Sequence, residues 1–248
     1  MDRFILIIVF SLLGSIGSLA GAYILLVFPD RVRLMLIPSL ISYATGTLLA
    51  SALLAMIPKA LVRASSSSVL LTVLVGMISF FLLEKLVIWR HCHVQGCEVH
   101  STAGSLILLG DAFHNFVDGI VIAAAFLTSI PLGLTTSFAV IAHEVPQETG
   151  DFAILVDSGY SKKRAFTYNF FSSIATLPGS LIAYFWLKST QAAIPYILAF
   201  SAASFIYIAA ADLIPHLHQK TDFRSGMTQF ILLLCGVATV LFFVAHHP

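Results

Sequence analysis

The stretch DAFHNFVDGIVIA, residues 111–123, places two carboxylates, an imidazole and an amide within eight residues of an otherwise apolar chain. Asp111, His114, Asn115 and Asp118 follow one another at positions i, i+3, i+4 and i+7. On a period of 3.6 residues these positions share one face of a helix. The stretch therefore predicts an apolar helix with a single polar face.

The composition around this stretch is that of a polytopic membrane protein. The 248 residues are 58% hydrophobic and 10% charged, whereas soluble domains carry about 25% charged residues. A helix needs about 20 apolar residues to cross a bilayer. We expect an all-α fold, with one domain over residues 1–248 and eight transmembrane helices. The predicted helices cover residues 4–28, 34–57, 66–89, 101–128, 131–156, 163–187, 193–217 and 226–246.

The basic residues indicate the orientation of these helices. With eight crossings, nine of the Lys and Arg residues fall in the odd-numbered loops and four on the opposite side. Because Lys and Arg in short loops favour the cytoplasmic side, both termini are expected to be extracytoplasmic. The net charge of +1 predicts no nucleic-acid partner.

The acidic residues are concentrated where no base can neutralise them. Between Glu98 and Asp157 there are seven acids and neither Lys nor Arg. A carboxylate at bilayer depth is costly unless it is paired, solvated or protonated. A bound cation is the simplest explanation for the five acids inside helices 4 and 5, which are Asp111, Asp118, Glu144, Glu148 and Asp151.

Helix 5 repeats the polar spacing of helix 4. In AVIAHEVPQETGDFAIL, residues 139–155, His143 precedes Gln147 by four residues and Glu144 precedes Glu148 by four. The joining segment is short, so helices 4 and 5 should be antiparallel neighbours. Their polar faces can then meet and form a metal site. A lone histidine in an apolar helix is more often a hydrogen-bonded core residue, but the clustering favours a functional site. Asp111 and Asp151, at the margins, could instead support the ligands or line a pathway.

Two motifs resemble the ZIP (Zrt-, Irt-like protein) family of divalent-metal transporters. They are HNFVDG at residues 114–119 and HEVPQETGD at 143–151. The resemblance implies a 3+2+3 arrangement, in which helices 4 and 5 carry a two-metal transport site inside a bundle of helices 1–3 and 6–8. The residues that it assigns to the metal are His114, Asn115, Asp118, His143, Glu144 and Gln147; Glu148 matches the acid of the second motif, and Asn169 on helix 6 is a further candidate.

The chain departs from the family pattern at two places. Gln147 stands where one branch of the family has a second histidine, and amide oxygen is a weaker ligand than imidazole. At the end of helix 2 the family often has a His-x-x-Pro-Glu run, whereas this chain has Ala55 and Lys59 around Pro58. The His and Glu of that run are both absent, so the resemblance leaves open whether helix 2 supplies a ligand.

Two further groups could handle metal. RHCHVQGCEVH, residues 90–100, contains His91 and His93 and is either a metal-handling loop or a solvated one. On helix 7, Asp212 and His216 are four residues apart and His218 follows near the predicted cytosolic end. These three residues either line an exit path or cap the helix at the interface.

The resulting hypothesis is a transporter that moves a divalent metal into the cytosol across the plasma membrane. Zn²⁺ is the favoured substrate, while Fe²⁺, Mn²⁺ and Cd²⁺ stay open because ligand chemistry alone does not separate them. No prosthetic group and no enzymatic activity are expected. The partners are the metal ion, the lipid bilayer and, in one alternative, a second copy in a homodimer. The alternative function is an intramembrane zinc-dependent hydrolase, since HEVPQ is close to the H-E-x-x-H motif, although Pro146 and Gln147 depart from it.

Overall fold

The computed structural model describes residues 2–91, 99–218 and 222–246, without the side chains of residues 30, 86–91, 99–107, 157 and 246. The described residues form eight helical segments and contain no strand. The segments are α1 (Arg3–Val27), α2 (30–61), α3 (Ser66–His91), α4 (Val99–Thr128), α5 (Ile130–Asp157), α6 (Lys162–Ser189), α7 (Gln191–Leu217) and α8 (Phe223–His246). A turn at residues 174–175 interrupts α6.

Seven of these helices are long and apolar enough to cross a membrane; within the described part of the chain, α5 does not meet that criterion. The prediction of an all-helical, polytopic membrane protein is thereby confirmed. In α5 the polar residues of the HEVPQETGD motif replace the apolar residues that a lipid-facing helix needs. The eighth crossing stays a prediction.

Two helices contain a π-helical turn immediately before a proline. In α2 the turn spans Ser51–Met56 and precedes Pro58, and in α7 it spans Ala209–Leu213 and precedes Pro215. Proline removes one backbone donor and collides with the preceding turn of a regular α-helix. The wider π turn re-registers the hydrogen bonds, so α2 continues through Pro58 to Leu61, beyond the predicted end at residue 57.

Glycines bring α4 and α6 into backbone contact. A Cβ atom built on Gly119 lies 2.0 Å from the carbonyl oxygen of Thr176, and one built on Gly179 lies 2.2 Å from that of Phe116. Neither position can therefore hold a larger residue without separating the helices. Small residues at helix contacts allow the close van der Waals packing that stabilises helix pairs in lipid. Gly119 is the last residue of the HNFVDG motif.

A second glycine pair joins α2 and α8. A Cβ atom on Gly46 lies 2.1 Å from the carbonyl oxygen of Leu233, and one on Gly236 lies 2.3 Å from that of Tyr43. The remaining packing places α5 against α1, α2 and α4, and α3 against α7. The helices that carry the predicted ligands are thus surrounded by other helices.

The apolar core lies on one side of the polar residues. Leu48, Met56, Ile122, Phe126 and Phe205 are fully buried in a single cluster. In α4, Ile122 and Phe126 lie nearer the C-terminal end than the polar face does. Leu48 and Met56 lie in the C-terminal half of α2, and Phe205 lies nearer the N-terminal end of α7 than Asp212 does. The core therefore fills the end of the bundle that the sequence predicts to be extracytoplasmic.

Candidate metal centre

Four side chains from α4 and α5 converge on one point. The Nε2 atoms of His114 and His143 are 3.1 Å apart. Nε2 of His143 lies 3.3 Å from Oδ2 of Asp118 and 3.5 Å from Oε1 of Glu144. One ligand atom from each of the four residues lies within 4.8 Å of the others. The two polar faces of the antiparallel helices α4 and α5 therefore meet, as their spacing predicts.

The histidine on α5 is held in one orientation. Nδ1 of His143 lies 2.9 Å from the backbone carbonyl oxygen of Ala139, one helical turn earlier. Because a carbonyl only accepts, Nδ1 donates the proton and the neutral ring keeps its lone pair on Nε2. This arrangement fixes the tautomer and ring orientation of metal-binding histidines in general. The ring edge also packs on Phe205, with the centroids 5.9 Å apart.

The carboxylates of this cluster lack hydrogen-bond donors. Both side-chain oxygens of Asp118 and both of Glu144 are buried without a hydrogen-bond partner among the described residues. Burying such groups without compensation costs several kcal/mol each, on the order of 2–7 for a neutral group and more for a charge. Two imidazole nitrogens and two carboxylates form a donor set that suits Zn²⁺. A divalent cation therefore fits these four residues chemically.

Asn115 and Gln147 are directed to a different carboxylate. Nδ2 of Asn115 donates to Oδ1 of Asp111 at 3.0 Å, and Nε2 of Gln147 donates to the same oxygen at 3.1 Å. The amide oxygen of Asn115 accepts from the hydroxyl of Thr176 at 3.0 Å. These amides form a second group around Asp111, whose other carboxylate oxygen has no partner within the described residues. Asp111 thus lies at the centre of a hydrogen-bonded group, where the sequence analysis placed it at the margin.

Glu148 is turned towards α6. The Ser173 hydroxyl donates to Oε1 of Glu148, and Nδ2 of Asn169 donates to its backbone carbonyl at 3.2 Å. Oε2 of Glu148 and Oδ1 of Asn169 are buried without a partner in the part of the chain that the structure describes. Ser173 and Thr176 were not among the predicted residues, although they follow Asn169 at i+4 and i+7, a spacing that also occurs on the polar face of helix 4.

A cavity of about 1060 Å³ connects these groups to one end of the bundle. It reaches His114 and His143 and opens where α2 and α4 begin and α5 and α7 end. The polar residues that line it between the cluster and the mouth are Asp111, Gln147, Thr149, Asp151, Asp212, His216 and Arg33.

The remaining candidates lie elsewhere. His218 is exposed and does not line this cavity. His93 and the side chain of His91 lie outside the described residues. Asp212 and His216, in contrast, share the cavity with the histidines of the cluster. Of the two groups outside helices 4 and 5, the structure therefore links only the helix 7 pair to the cluster within the residues that it describes.

Comparisons with known proteins show which proteins the chain is similar to. A family model described as ZIP zinc transporter matches residues 89–244. The chain is 30% identical to zinc transporter ZIP13 of Pongo abelii over 94% of its own length and 77% of that protein. It is 28% identical to the Homo sapiens ZIP13 over 94% and 80%, respectively. It is 38% identical to the zinc transporter zipt-7.2 of Caenorhabditis elegans over 53% of this chain and 29% of that one. These relatives are named as transporters and not as enzymes.

Proposed function

Because the chain belongs to the ZIP zinc transporter family, we propose that it carries Zn²⁺ into the cytosol through the cluster of His114, Asp118, His143 and Glu144. The observation that carries this proposal is the set of four buried carboxylate oxygens on Asp118 and Glu144 without a hydrogen-bond donor in the described structure. They lie beside two imidazole nitrogens whose lone pairs can face the same point. A cation at that point compensates the burial of all four oxygens.

The second group supplies the next ligands along the path. Asp111 has one unpartnered carboxylate oxygen, and Glu148 has another in the described structure. Amide oxygens of Asn115 and Gln147 accompany them. These oxygen donors hold a borderline metal less tightly than imidazole does. We assign the group to a second, weaker metal position from which the ion passes towards Asp151.

The cavity and the charges together support the proposed orientation of the chain in the membrane. The cavity opens at the end of the bundle that carries the odd-numbered loops, where nine of the thirteen Lys and Arg residues lie. By the positive-inside rule this end faces the cytosol, and both termini face the exterior. The apolar core around Phe205 and Met56 closes the other end. The conformation described is therefore open to the cytosol, with Asp212 and His216 at the exit.

In this proposal α5 is the eighth crossing. It packs against α1, α2 and α4, so neighbouring helices shield its polar face from lipid. Helices 4 and 5 then lie between helices 1–3 and 6–8, in the 3+2+3 arrangement. The relatives are named as zinc transporters, which favours Zn²⁺ over Fe²⁺, Mn²⁺ and Cd²⁺ as the substrate.

The hydrolase alternative has no observation in its favour. A metalloprotease of the H-E-x-x-H type needs a second histidine one turn after the first. That position is Gln147, and its amide donates to Asp111. A catalytic zinc also needs only three protein ligands and a water, fewer than this site offers.

The test is time-resolved Zn²⁺ entry into liposomes that contain the purified chain. The native protein should take up zinc, while His143→Ala and Asp118→Asn should reduce the initial rate to background. Arg63→Ala, in the exposed turn after α2 and away from the cavity, should retain the native rate. Native uptake that survives both substitutions would show that the ion passes elsewhere. Zinc that binds without crossing would reject transport.

A further inference from the structure

A crevice of about 500 Å³ separates the first turns of α2 and α8. The two helices run parallel, because residues 31–39 face residues 224–232 at this end and Gly46 meets Gly236 farther along. The glycine pair closes the gap, and the larger side chains before it hold the helix ends apart. The crevice is distinct from the metal cavity, although Leu34 lines both.

The mouth of the crevice is positively charged. Arg31 and Arg224 line it, and both are exposed. No acidic side chain is among its lining residues in the described structure. The N-terminal ends of α2 and α8 lie at this mouth. In α8 the carboxylate of Asp222 already accepts from the backbone N–H of Ser225 at 2.9 Å, so the positive charge available to a ligand comes from the two arginines. Arginine side chains bind phosphate groups through several N–H donors.

The crevice has an apolar part below the arginines, formed by Leu34, Met35, Pro38 and Leu232. Ser39, Thr228 and Gln229 line the rest of it. Leu34 and Met35 are 68% and 63% exposed, respectively. The arginines stand at the ends of the candidate membrane spans Arg31–Leu61 and Phe223–Ala245. A ligand that fits this surface has an anionic head at the depth of the lipid headgroups and an apolar tail.

We propose that this crevice binds an anionic phospholipid, with its phosphate between Arg31 and Arg224 and an acyl chain along Met35 and Leu232. Basic pockets between transmembrane helices bind acidic headgroups in this way. We infer that the occupant is a lipid and not a free anion. The arginines would bind the phosphate of either one, but the exposed apolar residues of the crevice add affinity only for a ligand with an acyl chain.

The first test is native mass spectrometry of the full chain in detergent, titrated with phosphatidylglycerol or phosphatidylcholine. The native protein should retain phosphatidylglycerol in preference to phosphatidylcholine. Arg31→Gln combined with Arg224→Gln should lower that affinity about tenfold or more. The matched control, Lys162→Gln with Arg164→Gln, removes the same charge from the exposed start of α6 at the same end of the bundle and should leave affinity unchanged. An equal loss in both double variants would overturn the proposal, because it would indicate general surface charge.

A second measurement needs no substitution. Phosphatidylglycerol with a photoreactive acyl chain should label the native protein at residues 31–39 and 224–232. Labelling confined to other segments would contradict the proposed binding site. Addition of inorganic phosphate distinguishes a phospholipid site from a site for free phosphate. Displacement of the lipid at low millimolar phosphate would identify a small-anion site instead. Retention of the bound phosphatidylglycerol in the presence of inorganic phosphate would support the phospholipid site.

Discussion

The Nε2 atoms of His114 and His143 lie 3.1 Å apart, although the two residues belong to different helices. Since Nδ1 of His143 is engaged by Ala139, its Nε2 presents a lone pair to the other ring. Two lone pairs at this distance would repel each other, so a shared proton or a shared cation must lie between the rings. A metal bound by both imidazoles makes them act as a single unit.

This relationship predicts that the two histidines are energetically coupled. His114→Ala and His143→Ala should each lower Zn²⁺ affinity by about 100-fold or more. Loss of a residue that only hydrogen-bonds to a ligand costs about 10–100-fold, and loss of the ligand itself should cost at least the upper end of that range. The double variant should be little worse than either single variant, because the ion has already lost its site. Calorimetric titration of the four proteins measures the coupling. Losses that simply add would mean that the rings bind separate ions.

The amide at Gln147 predicts how tightly the second position holds metal. In Gln147→His, an imidazole would stand beside Asp111 and donate a stronger ligand than the amide. We expect Zn²⁺ affinity to rise about tenfold, equivalent to about 1.4 kcal/mol, and turnover in liposomes to slow because release becomes harder. Gln147→Asn keeps the amide and should not increase affinity. An unchanged affinity in Gln147→His would remove residue 147 from the metal path.

The contact between α4 and α6 predicts a strong penalty for a single methyl group. In Gly119→Ala, the new Cβ would collide with the Thr176 carbonyl, so the helices must separate and the protein should lose about 1–3 kcal/mol of stability. Gly110→Ala on the same helix is the control, since a Cβ atom at Gly110 meets no other atom within 4 Å. Thermal unfolding in detergent compares them. Equal melting temperatures would show that the backbones are not in contact.

The cavity predicts the side from which its walls can be reached. Gly150 lines the cavity, and a Cβ atom there meets no neighbour within 4 Å. In a background without the three native cysteines, Gly150→Cys should react with a membrane-impermeant thiol reagent only from the cytosolic side. Arg63→Cys, at the opposite end, should react only from outside. Labelling of Gly150→Cys from the exterior would reverse the proposed orientation.

How far the sequence predicts the site depends on the kind of residue. The approach of His114 to His143 was predictable. Each of the two neighbouring helices has a single polar face, and these faces avoid lipid by packing against each other. The orientation of the Asn115 side chain was not predictable, because an amide oxygen can bind a metal or accept a hydrogen bond from a hydroxyl. In the structure it accepts from the Thr176 hydroxyl. Ser173 escaped notice because an uncharged hydroxyl in an apolar helix carries little signal. The assignment of all these residues to a metal stays a prediction.

The same contrast holds for the fold. Composition suffices to predict a helical membrane protein, because lipid leaves the backbone few other choices. It does not predict that α2 passes through Pro58, since a proline can either end a helix or be accommodated by a preceding π turn. The plasma-membrane location, the homodimer and the eighth crossing likewise stay predictions.

The polarity of α5 has a consequence for how the protein is made. α5 is less apolar than the other seven helices, and ionisable residues inside a membrane are costly unless they are paired. If α5 crosses the membrane as proposed, we expect it to insert together with α4, to which it is joined through the single residue Ser129. The two helices should leave the translocation channel as a hairpin, so that the polar faces are already in contact before either one meets lipid.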